Sequence, residues 1–287
     1  MTIGFIGLGV MGEPMARNLV TRGTDPVVVT DLRPEPVERL VAEGAKAAAS
    51  VSDVVEQSEV VLLSLPGGEQ LEAVVGGDDG ILSADVEGKL IVDHTTAPVT
   101  LSRALGERCR AAGAEYCDAP IARTRQAAID GTLAIMVGGS AEAFARLKPM
   151  LAPMATDVSH CGELGAGQVT KLLNNMMLFN NVRAIAEAHA IAEGLGVDVE
   201  RIFSVIAEAS GGSFALSNHG MKAVLTDTYP AQAFSTEYAI KDLDYALDLA
   251  AEVGIDAVGA RTTRELLAAA RDAGYGQEYW PVIRRLL

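Results

Sequence analysis

Short apolar runs alternate with helical periodicity along the first half of the chain. The run at 3–6 reads as a strand buried on both faces, and a helical pattern starts near Glu13. Further strand-like runs lie at 27–30, 60–65, 90–93, 115–118, 133–137 and 157–161. Ala-rich helical patterns separate most of them, such as 98–112 and 142–151. Strand and helix in alternation imply a parallel sheet with helices on both faces, and ligands then bind beyond the carboxyl ends of the strands. Two loops fall at such ends, Leu65-Pro66-Gly67-Gly68 and Asp93-His94-Thr95-Thr96-Ala97-Pro98.

The character changes over 162–168, where Gly162, Gly165 and Gly167 break the pattern. From 168 to 195 there is no proline, and no glycine except Gly194, while apolar residues recur with helical spacing. A helix of about 28 residues would be roughly 42 Å long, enough to connect two domains and form the spine of the second. Beyond it the pattern gives helices and turns and no convincing strand. The expected fold class is α/β: a Rossmann-type doubly wound sheet over 1–163, followed by an all-helical domain over 164–287. No internal repeat or low-complexity linker is present.

Gly7, Gly9 and Gly12 form a GxGxxG between the first strand and the first helix. One glycine makes the tight turn, the second lets the backbone approach a pyrophosphate, and the third lets helix and strand pack closely. The pyrophosphate would rest on the N–H groups of Gly7, Leu8, Gly9, Val10, Met11 and Gly12, at the positive end of the helix. Asp31 follows the next strand, where a carboxylate accepts the ribose hydroxyls of NAD and repels the 2′-phosphate of NADP. Arg33 could bind that phosphate or be a solvated turn residue. The expected cofactor is NAD, ahead of NADP.

Composition narrows the partners. The chain has 287 residues, 49% of them apolar, so it can bury a full core without staples. A net charge of −15 argues against nucleic acid and anionic membrane as partners, though not against a small anionic substrate. The first apolar run is too short for a signal peptide and lacks a basic flank, and no apolar stretch is long enough to span a bilayer. Cys109, Cys117 and Cys161 include no CxxC pair, and an odd count fits a reducing cytosol. All three read as small buried hydrophobes. No two histidines share a metal-ligand spacing, so no metal is expected. A cytoplasmic protein is the resulting expectation.

Lys171, Asn174, Asn175 and Leu178 fall at i, i+3, i+4 and i+7 and share one face of the long helix. A helical lysine is ordinarily a solvated surface residue. Here it stands beside two adjacent amides, in a helix otherwise rich in Leu and Met, where propensity gives no reason for them. Carboxamides can hold an ammonium group and bind a substrate oxygen. Hydride transfer at a carbonyl also needs a proton donor, and lysine serves if burial or a nearby positive charge lowers its pKa.

With these motifs in order, the chain resembles the β-hydroxyacid dehydrogenase family, which includes 3-hydroxyisobutyrate dehydrogenase and tartronate semialdehyde reductase, with 6-phosphogluconate dehydrogenase as a larger relative. GFIGLGVMGEPMARNL is similar to the family's opening signature, VDHTTAPVT to its cofactor loop and, in part, DAPIARTRQAAIDGTLAIMVGG to its substrate segment. GAGQVTKLLNN is similar to its catalytic helix and FSTEYAIKDLDYAL to its Lys-Asp motif. The resemblance implies Lys171 as general acid/base and Asn175 as its hydrogen-bonded positioner, with Asn174 assisting substrate binding. It implies Thr96 and Lys241 near the nicotinamide, and Phe234 and Asp242 lining the site, while Leu65 and Pro66, in their loop at a strand end, are expected to flank the cofactor. It also implies a cleft between the two domains as the site, and a homodimer or homotetramer built through the helical domain.

One segment departs from the family pattern. Where the family has Ser-Gly-Gly to hold the substrate carboxylate, this chain has Ala122, Arg123 and Thr124. A guanidinium there offers a planar fork to a carboxylate, sulfonate or phosphonate. Otherwise Arg123 points to solvent or pairs with an acid of the fold. The variant is similar to the segment of sulfolactaldehyde reductase, a member that reduces a sulfonated aldehyde. Leu178 makes the pocket more apolar than in that reductase, which has a small polar residue at the matching place.

The expected function is reversible hydride transfer between NAD and a small 3-hydroxy acid, or its semialdehyde, with an anionic end. A sulfolactaldehyde-type reductase is the alternative closest to it. A non-catalytic dinucleotide sensor has no use for Lys171, and imine reductases of the same architecture usually carry another residue there. The strand end at Asp31 gives a direct test. NADH should show the higher kcat/KM, and Asp31→Ser should relax the preference by freeing Arg33 to meet a 2′-phosphate. A wild-type preference for NADPH would contradict this reading of Asp31.

Overall fold

A computed structural model describes residues 1–231 and 233–287. The chain divides into two compact units, Met1–Lys171 and Leu172–Leu287. The division falls inside one long helix, past the glycine-rich stretch at 162–167.

The first unit is a single sheet flanked by helices. Its strands are β1 (Ile3–Ile6), β2 (Val27–Thr30), β3 (Lys46–Ala47), β4 (Val60–Leu63), β5 (Leu90–Asp93), β6 (Glu115–Asp118), β7 (Ile121–Ala122), β8 (Leu133–Gly138) and β9 (Ala155–Gly162). The order is β3-β2-β1-β4-β5-β6-β8-β7, with β9 paired to β8. From β3 to β6 every pairing is parallel. The reversal of order on either side of β1 creates the switch point where open α/β sheets bind ligands.

Alternate residues of each central strand enter opposite cores. Phe5, Val60, Leu62 and Val92 join one core with Met15 and Leu19. Ile6, Val61, Leu63 and Ile91 join the other with Val54, Leu71 and Leu105. Burial on both faces explains why these strands appear in the sequence as unbroken apolar runs. The helices that cover them are α1 (Gly12–Arg22), α2 (Pro34–Ala42), α3 (Val51–Glu56), α4 (Gly68–Gly76), α5 (Val99–Ala111), α6 (Arg125–Asp130) and α7 (Ala141–Leu151).

Three details differ from the expectation. β8 runs antiparallel to β6 and β7, so the sheet is mixed at that edge. Between β7 and β8 the only helix is α6, of 6 residues. A parallel crossover needs about a dozen residues or more, so the chain turns back instead. The two-residue strands β3 and β7 carry no periodic signal. Cys161 is half-buried on β9, whereas Cys109 and Cys117 are buried; all three thiols are free.

The second unit is helical. The long helix α8 (Ala166–Gly194) is followed by α9 (Val199–Ala207), α10 (Thr236–Glu252) and α11 (Val258–Ala270). Two π-helical segments at Leu216–Val224 and Arg271–Tyr275 and a 3-10 segment at Trp280–Leu286 complete it among the described residues. Its core joins Phe179, Val182 and Ala186 of α8 to Ile240 and Leu243 of α10, Leu267 of α11, and Trp280. The four α8 residues Leu172, Phe179, Val182 and Ala186 are all buried, and their spacing is one helical face. The extended contact in this unit, among the described residues, is one antiparallel bridge between Ser235 and Tyr279. No helix of the described residues is long and apolar enough to cross a membrane.

The glycine turn after β1 shows why each glycine is there. Gly7 has φ +92°, and a Cβ on it would lie 2.4 Å from the Ser64 carbonyl oxygen at the end of β4. A Cβ on Gly12 would lie 2.0 Å from the Gly7 carbonyl oxygen, whereas one on Gly9 would meet nothing within 4 Å. Gly12→Ala should therefore destabilise the fold by about 1–3 kcal/mol, as overpacking does. Gly9→Ala should leave stability within about 1 kcal/mol of wild type. Thermal or urea unfolding of the two variants checks this; equal losses would contradict it.

Candidate active site

The cofactor residues singled out in the first unit, Gly7–Gly12, Asp31, Leu65, Pro66 and Thr96, follow the carboxyl ends of β1, β2, β4 and β5. The Leu8 N–H donates to Asp31 Oδ2 at 2.6 Å, which ties the glycine turn to the end of β2. Partial burial acts to raise the Asp31 carboxyl. The N–H groups of Arg33 and Leu8 and the Arg33 guanidinium outweigh it, so its pKa lies below the ordinary value. The Arg33 side chain also donates to the Leu8 carbonyl oxygen at 2.9 Å. Leu8 is buried, Val10 is exposed, and Met11 stands at the position before α1 without a side-chain capping bond. The open space beside Gly9 is where a bound group can approach the backbone, so the turn fits a dinucleotide on steric grounds.

Leu65 and Pro66 follow β4, and the Leu65 N–H donates to Thr95 Oγ1 at 3.1 Å. Thr95 belongs to the loop after β5. Its N–H donates to Asp93 Oδ1 at 2.8 Å, and the Tyr116 hydroxyl donates to Asp93 Oδ2 at 3.1 Å. Burial pushes the Asp93 carboxyl up to about 7, against the hydrogen bonds from Thr95 and Tyr116. His94 is buried and donates through Nδ1 to the Ala119 carbonyl oxygen at 2.7 Å; burial holds its pKa down at about 4, so it is neutral. Thr96 is half-buried between Thr95 and Ala97.

The start of α8 is held on this same loop. Gln168 is fully buried; its Nε2 donates to the Thr95 carbonyl oxygen at 2.6 Å, and its Oε1 accepts from the Ala97 N–H at 3.2 Å. Asp118, at the end of β6, accepts the N–H groups of Gly165 at 2.7 Å and Gln168 at 2.6 Å. Burial raises the Asp118 carboxyl to about 6, opposed by those backbone donors. Lys171 lies three residues after Gln168 and is only 8% exposed. A lysine at that depth is not an ordinary solvated helix residue.

In the substrate segment the structure shows the second of the two readings of Arg123, a pairing with an acid of the fold. The Arg123 guanidinium does not present a free fork. It donates to the Thr132 carbonyl oxygen and to Thr156 Oγ1, and pairs with Asp157 Oδ2 at 2.5 Å. Asp157 and Thr156 lie on β9, on the far side of β8 from β7: Ala134 of β8 is paired with Ala122 on one side and with Asp157 on the other. Arg123 itself has φ +84°, a left-handed conformation that favours glycine and costs roughly 1–2 kcal/mol for another residue. The Thr124 hydroxyl accepts from the Ala127 N–H and caps α6.

In the second unit the candidates form a chain of contacts. The Asn174 side chain donates to Asn175 Oδ1 at 3.1 Å, and Asn175 Nδ2 donates to Asp242 Oδ2 at 2.7 Å. Asp242 is buried and its Oδ1 lies 2.9 Å from the Lys241 ammonium, which also sits over the Tyr245 ring at 4.9 Å. Phe234 is partly exposed and tilted against Phe179 and Tyr238, with ring centroids at 6.1 and 5.9 Å. With its NH₂ committed to Asp242, Asn175 has its carbonyl oxygen fixed in direction.

Asp93 and Thr95 lie in the loop singled out in the sequence, without a role given to either, whereas Tyr116, Asp118 and Gln168 were not singled out. A signal existed in part: Asp93 and Asp118 each end a strand, and Gln168 precedes Lys171 by one helical turn.

Comparison with known proteins agrees with this geometry. Residues 2–162 match the family profile described as the NAD binding domain of 6-phosphogluconate dehydrogenase. Residues 165–285 match the profile described as NAD-binding of NADP-dependent 3-hydroxyisobutyrate dehydrogenase. The chain is 39% identical to 3-hydroxyisobutyrate dehydrogenase of Pseudomonas aeruginosa, over 85% of this chain and 84% of that protein. It is 33% identical to 3-sulfolactaldehyde reductase of Escherichia coli, over 98% and 94%. The solved structure of Mycobacterium tuberculosis 3-hydroxyisobutyrate dehydrogenase with L-serine superposes with a TM-score of 0.90 at 32% identity, covering 99% of this chain and 98% of that one. The chain belongs to the β-hydroxyacid dehydrogenase family, oxidoreductases that transfer a hydride between a nicotinamide dinucleotide and a hydroxyacid.

Proposed function

We propose that this enzyme interconverts a small 3-hydroxy acid and its semialdehyde with NAD, and that Lys171 moves the proton. The observation that carries the reading is the burial of Lys171 one turn beyond the Gln168 grip on the Thr95–Ala97 loop. When bound, the dinucleotide supplies or accepts the hydride. The turn Gly7–Gly12 would hold its pyrophosphate, Asp31 its adenosine ribose, and Leu65, Pro66, Thr96 and Lys241 would flank it. Lys171 gives a proton to the carbonyl oxygen during reduction and takes one from the alcohol during oxidation. Asn175, directed by Asp242, positions the ammonium, and Asn174 assists in binding substrate beside Phe234.

The substrate anion is assigned to the backbone of Ala122, Arg123 and Thr124, because the guanidinium is committed to Asp157, Thr156 and Thr132. This favours a carboxylate substrate over a sulfonate that would need the Arg123 fork. The domain boundary is placed at the glycine-rich stretch near residue 163. A homodimer or homotetramer is part of the proposal, supported by Leu173, Met177 and Ile191, exposed apolar residues along one side of α8. Three free thiols support a cytoplasmic setting.

A panel of methylmalonate semialdehyde, tartronate semialdehyde, succinic semialdehyde and sulfolactaldehyde, each with NADH, tests the substrate class. A carboxylated semialdehyde should lead in kcat/KM, and a lead by sulfolactaldehyde would overturn the assignment. Lys171→Ala should lower kcat by roughly 10²–10⁴-fold while leaving NADH affinity nearly intact, as loss of a general acid does. Near-normal turnover would remove Lys171 from the mechanism. Arg123→Ala should cost less than about 10-fold in kcat/KM, because the guanidinium is held by Asp157, Thr156 and the Thr132 carbonyl oxygen. A larger loss confined to anionic substrates would return the guanidinium to the pocket.

A further inference from the structure

The contacts at the start of α8 assign work to two residues that make no direct claim on substrate. We propose that Gln168 and Asp118 are positioning residues for the reaction: together they lock the first turns of α8 onto the loop after β5, and so fix where Lys171 stands relative to Thr96. The inference rests on the reading of Lys171 as the proton-transfer residue.

Gln168 spans Thr96. Its carboxamide gives a hydrogen to the carbonyl of Thr95 and takes one from the N–H of Ala97, the residues on either side. The polarity is forced, because a carbonyl only accepts and an N–H only donates. A side chain of this length with a donor and an acceptor in one plane is required; glutamate reverses one end and an apolar residue loses both. All of this happens at a fully buried position, where unpaired groups are costly. The loop is pinned from its other side as well, by Leu65 and Asp93 acting on Thr95.

Asp118 fixes the helix about its own axis. Its two carboxylate oxygens take the N–H groups of Gly165 and Gln168, donors at the helix start that have no partner within the helix. The approach is so close that side chains are excluded. A Cβ on Gly138 would lie 2.3 Å from Asp118 Oδ1, and one on Gly167 would lie 2.3 Å from the Met136 carbonyl oxygen and 2.7 Å from Asp118 Oδ2. With rotation and translation of the first turn both set, the Cα–Cβ direction of Lys171, on the same face as Gln168, is set too.

The test is a mutant cycle with a second readout in the protein itself. Gln168→Met removes both bonds, and Gln168→Glu keeps the acceptor for Ala97 while facing a carboxylate against the Thr95 carbonyl. Each should lower kcat by about 10-fold or more, the scale of cost for a displaced catalytic group, with NADH affinity by titration little changed. Gln168→Glu should regain kcat as pH falls, because its acid form again donates to Thr95; the wild type has no such gain. In a Lys171→Ala background neither substitution should cost anything further. Equal cost in both backgrounds, parallel loss of NADH affinity, or wild-type kcat in Gln168→Met would overturn the proposal. Turnover of Lys171→Ala alone is measured first, so failure of the lysine assignment is seen separately. If the Gln168 variants do not fold, amide exchange in the wild type decides. Slow exchange at Ala97, Gly165 and Gln168 supports the lock, and exchange at the rate of an exposed loop overturns it.

Discussion

A single buried hydrogen-bond network holds the carboxyl ends of β4, β5 and β6 to the first turn of α8. It runs from the Leu65 N–H to Thr95, from Thr95 to Asp93 and Tyr116, and from the Thr95 carbonyl through Gln168 to Asp118. Its members are polar groups with almost no access to water, and each bond made avoids the cost of leaving a buried group unpaired. The parallel sheet could form from apolar burial alone. What burial cannot do is choose one register and one rotation for the helix that leaves the sheet, because apolar contact is not directional. Directional bonds at the strand ends make that choice.

The glycine turn applies the same logic through sterics. Gly7 and Gly12 are needed by the protein itself, since each backbone lies against a carbonyl oxygen with no room for a Cβ. Gly9 has no such internal demand, and its open side leaves room for a bound group to approach the backbone. The surroundings of the three glycines match the roles that the motif assigns by position: Gly7 and Gly12 lie against carbonyl oxygens and Gly9 faces open space.

Much of the first unit was legible because burial on both faces leaves mostly apolar runs at 3–6, 27–30 and 90–93, and these are strands in the structure. The edges were not legible: Lys46–Ala47 and Ile121–Ala122 are too short to show a period, and the antiparallel turn at β8 follows from a connection that is too short to cross over. The candidate site divides in the same way. Local motifs such as the glycine turn and the Lys171-Asn174-Asn175 face can be read from spacing alone. The partners of Gln168 lie 71 and 73 residues away, and the acid that takes Arg123 lies 34 residues away. No spacing rule reports such pairings, so which acid Arg123 meets in the fold could not be read from the sequence.

The central claim is that Lys171 delivers the proton while the nicotinamide delivers the hydride. The most direct measurement is the solvent deuterium isotope effect on a single turnover of semialdehyde reduction, in the wild type and in Lys171→Ala. The account predicts a normal effect in the wild type that is lost or much reduced in the variant, whose residual reaction no longer draws its proton from the lysine. An isotope effect of the same size in both proteins would contradict it.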